Sequence, residues 1–148
     1  MMSIKDQLSS DIKDAMRARD QKKLAALRLM IAAMKQIEID ERIEIDDTRA
    51  LVILDKLAKQ RNESITQFNA AGRTDLVLQE EFELALITHY LPEPLSISEV
   101  EDCIEQALVA TGASKMSDMG LVMAQLKPQL QGRADMGTVS AMIKARLG

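Results

Sequence analysis

Aromatic side chains are almost missing from this 148-residue chain, which has two phenylalanines, one tyrosine and no tryptophan. Phe68, Phe82 and Tyr90 are too few to build the platform on which RNA-recognition and OB-type modules stack bases. Any nucleic-acid contact would go to the backbone or to shape. A single cysteine, Cys103, excludes an intramolecular disulfide framework, and with a single histidine, His89, it supplies no ligand set for zinc. There is no Walker-type phosphate loop, no GxGxxG, no HExxH and no CxxC, so no metal and no cofactor is expected. No apolar run approaches the roughly 20 residues of a membrane span, and the amino terminus lacks the apolar stretch of a secretory signal. These absences predict a cytoplasmic protein without a membrane partner.

Breakers are scarce as well. The first 91 residues contain no proline and one glycine, Gly72, so long helices meet nothing to stop them. An apolar share of 47% is enough to bury the core of one ordinary domain or two small ones. The pattern predicts an all-α protein. A first helix runs from about Ser3 to Arg19. Leu24, Leu27, Ile31, Met34 and Ile37 recur at three- and four-residue spacing and give a second, ending near Glu41. The alternating stretch Ile37 to Asp47 has no second strand-like run to pair with, and reads as a helix end plus loop. Asp46 or Asp47 caps a third helix with its seam on Leu51, Leu54, Leu57, Ala58, Ile65 and Phe68, stopped by Gly72. Thr74 or Asp75 opens a fourth, through Val77, Phe82, Ala85 and Leu91.

Pro92 and Pro94 end that helix and mark the domain boundary, because proline removes a donor and biases its predecessor away from helix. The expected organisation is a four-helix amino-terminal domain over 1–91, a linker over 92–97 and a three-helix carboxy-terminal domain over 98–148. Ser96 or Ser98 caps the fifth helix, each with a glutamate three residues later, and Gly112 closes it. The sixth starts at Ser117 and meets Pro128; Asp135 caps the seventh, which reaches Leu147.

The charges sum to −4 but are unevenly spread. Residues 13–35 carry seven basic and two acidic side chains, whereas residues 38–47 carry one basic and six acidic. Residues 119–148 hold Lys127, Arg133, Lys144 and Arg146 against Asp135 alone. A local positive patch can coexist with a negative total.

Arg28 and Arg61 fall three or four residues from apolar seam positions on the second and third helices, and Glu81 falls in the matching seam of the fourth. A buried guanidinium must be paired, so an ion pair locking the bundle is the expected role, with a substrate cleft as the alternative. His89 lacks a partner for a metal or a triad and reads as a helix-end residue. Cys103 falls in the Val100, Ile104, Ala107, Leu108 stripe and reads as a small apolar side chain. Met116, Met119 and Met123 repeat as a core seam would. No catalytic site is visible.

Several stretches, in order, resemble the YqeY family over nearly the whole chain. They are Leu27 to Lys35, Lys59-Gln-Arg61 with Ser64-Ile65, Ala71-Gly-Arg-Thr-Asp-Leu76 with Glu80 or Glu81, Tyr90-Leu-Pro92, Met119-Gly-Leu-Val-Met123 and Gly132-Arg-Ala-Asp135. The carboxy-terminal part is also similar to the tail domain of the GatB subunit of the tRNA-dependent amidotransferase, although the gap from Met123 to Gly132 is longer here and contains Pro128. The family is associated with carbon–nitrogen ligation using glutamine as amide donor, and the amidotransferase tail is understood to hold the tRNA body. The resemblance therefore implies a non-catalytic, tRNA-binding accessory, with tRNA and an amidotransferase or another tRNA-processing enzyme as partners. It points to Arg133, and charge adds Lys127, Lys144 and Arg146. The alternative is a protein-interaction module with no RNA role.

Overall fold

A computed structural model describes residues 2–148, and among them every regular element is helical. The all-α expectation holds. The chain divides into two compact units, Met1–Leu91 and Pro92–Gly148.

The first unit contains α1 (Ile4–Arg17), α2 (Gln21–Glu41), α3 (Asp47–Ala70) and α4 (Thr74–Tyr90). Short-range chemistry sets their ends. The Ser3 hydroxyl accepts from the Asp6 amide at 3.1 Å, Asp20 from Lys23 at 3.2 Å and Asp46 from Arg49 at 2.8 Å, each relieving an orphan donor of a first turn. Gly72, at φ +69°, takes the left-handed turn between α3 and α4. Leu8, Leu27, Met34, Leu54 and Ile87 are fully buried at the centre of this unit, one or more from each helix. The buried stripe of α3 is Ala50, Ile53, Leu54 and Ala58. That is rotated from the expected seam, whose Leu51, Leu57, Ile65 and Phe68 are only half-buried.

The second unit contains α5 (Ile97–Thr111), a 3₁₀ turn (Met116–Asp118), α6 (Met119–Leu130) and α7 (Met136–Leu147). Ser96 and Glu99 form a reciprocal capping box, both bonds at 3.1 Å, and this fixes the start of α5 at Ile97. Each helix contributes a stripe at three- or four-residue spacing: Val100, Ile104 and Ala107; Val122, Leu126 and Leu130; Val139, Ile143 and Leu147. Cys103, Met119 and Met123 pack half-buried on this core, whereas Met116 is exposed. Pro128 sits in the last turns of α6, where the carbonyl it cannot pair belongs to exposed Ala124.

Candidate functional site

The turn between α6 and α7 is the most highly organised polar feature of the second unit. The Leu130 carbonyl accepts from the amides of Arg133 at 2.9 Å and Ala134 at 3.1 Å, and Gly132 at φ +78° makes the reversal possible. Arg133 is then tied twice to the segment before α5. Its carbonyl accepts from the Leu95 amide at 2.8 Å, and its Nε donates to the Glu93 carbonyl at 3.3 Å. One of the guanidinium's five donors is used in this way, and among the described residues the four Nη hydrogens meet no acceptor. Glu99 lies close enough to feel the charge. Its carboxyl is held below the usual range, first by the Ser96 amide it accepts from and, as a smaller effect, by Arg133. The first-turn donors of α7 are capped by Asp135, which accepts from the Thr138 amide at 3.3 Å and hydroxyl at 2.9 Å.

Of the other three cations, Lys127 lies in the last turn of α6 beside this turn, whereas Lys144 and Arg146 lie toward the far end of α7. Lys127 is exposed on α6, and among the described residues neither it nor exposed Lys144 makes an ion pair. A rise of about 1.5 Å per residue carries Lys144 roughly 13 Å along α7 from the Asp135 cap. Arg146 lies farther still, where it pairs with Glu105 of α5. A groove of about 460 Å³ opens beside that pair, lined by Glu101, Asp102, Ile104, Glu105, Met142 and Arg146.

In the first unit Arg61 is paired, but with other residues than expected. Its Nε stands 2.7 Å from Glu83 and 3.5 Å from Glu80, with the Arg61 side chain 19% exposed and that of Glu83 13%. Glu81 and Arg28 are both exposed, so neither belongs to a buried pair. The physical reason is helical phase. The stripe of α4 runs through Val77, Leu84 and Ile87, which places Glu80 and Glu83 on its flanks and turns Glu81 outward with Ala85 and Thr88. Arg28 is one residue, roughly 100°, beyond buried Leu27. The void beside Arg61 measures about 10 Å³, less than a ligand needs, so this ion pair locks α3 to α4 and lines no cleft.

One cluster went unrecognised in the sequence. Asp11, Lys23, His89 and Tyr90 come together where α1, α2 and α4 meet. The available signal was compositional: the single histidine and the single tyrosine are neighbours, one residue short of the first proline.

Fold and turn define an all-helical protein whose carboxy-terminal unit presents a fixed arginine. The chain belongs to the Yqey-like protein family, whose model matches residues 5–147. Relatives named "Altered inheritance of mitochondria protein 41, mitochondrial" occur in yeasts and related fungi. That of Eremothecium gossypii is 40% identical over 68% of this chain and 55% of its own length. That of Candida glabrata is 32% identical over 93% of this chain and 74% of its own length. In Saccharomyces cerevisiae strain YJM789 the figures are 37%, 64% and 51%. The chain thus spans between half and three quarters of these relatives. Their names overturn the expected cytoplasmic location. That expectation had excluded a secretory signal and a membrane span, and neither exclusion bears on a mitochondrial address.

Proposed function

We propose that the protein is a non-catalytic, tRNA-binding accessory of tRNA-dependent amide transfer, acting beside an amidotransferase or another tRNA enzyme. The observation that carries this reading is Arg133. Two hydrogen bonds hold it in a glycine-opened turn while its Nη donors remain free, an arrangement suited to a phosphate oxygen. Lys127 and Lys144 add unpaired charge on the same unit, and the likeness of the turn to the GatB tail supplies the choice of tRNA. The test is filter binding of bulk tRNA over a range of salt. Phosphate contacts give a linear log–log slope, and Arg133→Glu weakens binding to all tRNAs alike and lowers the slope by about one unit or more. Absence of binding at low salt, or an unaffected reversed mutant, removes the reading.

A second reading, a protein-docking module, is favoured by the groove between α5 and α7. Three carboxylates, Glu101, Asp102 and Glu105, face one guanidinium there beside apolar Ile104 and Met142. Such a rim repels phosphate and suits a basic peptide.

A further inference from the structure

The cleft at the junction of α1, α2 and α4 has a volume of about 340 Å³, within the range of small-ligand sites. One wall is apolar, made by Phe82 and Leu86, and its polar groups are Asp11, Lys23, His89 and Tyr90. Tyr90 donates its hydroxyl hydrogen to one Asp11 oxygen, across 79 positions of sequence. Burial first, and then that bond, raise the phenol above its ordinary pKa, so it remains a donor. Among the described residues the other Asp11 oxygen meets no donor. Lys23 makes no ion pair among the described residues, and the Lys22 ammonium lies 4.2 Å from the centroid of the Phe82 ring. The His89 ring stands edge-on to Tyr90, centroids 5.3 Å apart.

The Lys23 ammonium in the cleft, with that of Lys22 over the Phe82 ring, therefore accompanies one carboxylate whose second oxygen has no donor among the described residues, next to an aromatic wall. A bare anion would be repelled by Asp11 and would leave the wall unused. An apolar neutral molecule would strand the lysines. A molecule carrying an anion, hydroxyl donors and a flat ring meets all three surfaces. We propose that this cleft binds a nucleoside monophosphate, with its phosphate on Lys23 and Lys22, its sugar hydroxyls donating to Asp11 and its base against Phe82 and Leu86.

The proposal is independent of the Arg133 surface and concerns a free mononucleotide. Because the chain has a single histidine and a single tyrosine, their ring resonances report on this cleft without ambiguity. Proton NMR titration of the full chain with adenosine, cytidine, guanosine and uridine monophosphates should move the His89 and Tyr90 signals saturably. Adenosine and inorganic phosphate, each lacking one recognised part, should bind at least about tenfold more weakly than adenosine monophosphate. Lys23→Gln and Asp11→Asn should each weaken the nucleotide by about tenfold, with Arg133→Glu leaving it unchanged. Lys23 is outside the buried core, so its variant keeps the fold, and unchanged methyl signals of the Leu27 and Leu54 core verify this. The proposal is overturned if no mononucleotide gives saturable shifts, if inorganic phosphate binds as well as adenosine monophosphate, or if Lys23→Gln binds like the parent.

Discussion

In the amino-terminal unit the helices are tied across their faces by polar groups: Lys5 of α1 to Glu38 of α2 at 2.8 Å, Arg61 of α3 to Glu83 of α4, and Tyr90 of α4 to Asp11 of α1. In the carboxy-terminal unit three apolar stripes meet directly, and the ion pair between α5 and α7, Arg146 to Glu105, lies in solvent. The difference teaches where each unit keeps its specificity. An apolar stripe is tolerant of exchange among similar side chains, whereas a half-buried charge accepts only a partner of opposite sign in one place. Polar clamps between helices also leave spare hydrogen-bonding capacity at their edges, and the cleft around Asp11 and Tyr90 is such an edge.

The contrast is broken most forcefully in the apolar unit. Leu126→Ala, at a fully buried site, should cost about 2–5 kcal/mol in urea unfolding, through lost transfer energy plus a cavity. A cost below about 1 kcal/mol would mean that the stripes are loosely packed.

Next in size is Arg61→Ala, expected to cost about 1–3 kcal/mol because it strands two carboxylates that are less than one fifth exposed. A double-mutant cycle with Glu83→Gln should show coupling. The counterpart in the second unit, Arg146→Ala, should lie at about 0–1 kcal/mol, since both partners are half exposed. Equal costs for the two arginines would erase the distinction between the units.

Acid should sharpen it. Glu38 has its carboxyl held below the ordinary glutamate value of 4.5, first by the Lys5 ammonium hydrogen bond and then by the Ile45 amide. A depressed folded pKa contributes stability that is present above the ordinary value and is lost as pH falls through the lower, folded one. Glu38→Gln should therefore lower stability at neutral pH, reducing hydrogen-exchange protection there most in α1, and leave a flatter decline as pH falls below 4.5. In the second unit Glu99 and Asp118 are lowered chiefly by backbone amides of their own caps, so acid there should fray helix ends without detaching one helix from another. An acid profile unchanged by Glu38→Gln would contradict this. The smallest effect is expected at exposed Glu81, where replacement by alanine should stay within about 0.5 kcal/mol.

The helix ends were legible in the sequence because caps act within three or four residues. Asp46, Ser96 and Asp135 each bond an amide three positions ahead, as do Ser3 and Asp20, which the pattern did not single out, and Gly72 and Gly112 take left-handed conformations that other residues disfavour. Helical phase was less legible. Glu80, Glu81 and Glu83 all lie near apolar residues at helical spacing, and a rotation of about 100° decides which of them faces Arg61. The stripe that wins is the one that buries Val77 and Ile87 against neighbouring helices, a choice made by partners far along the chain. The candidate cations behaved in the same way. Charge counting grouped Lys127, Arg133, Lys144 and Arg146, but the length of α7 carries Lys144 and Arg146 away from the turn, and Glu105 from another helix takes Arg146.

Composition and local pattern alone thus determined an all-helical chain, its helix ends, and its likeness to the YqeY family, since each depends on residues within a few positions of one another or on their order. Tertiary structure alone decided that Glu83 faces Arg61, that Arg133 is tied to the Glu93 carbonyl, and that Tyr90 reaches Asp11. Those contacts join residues 22 to 79 positions apart, and only the packing of distant segments on one another brings the groups together.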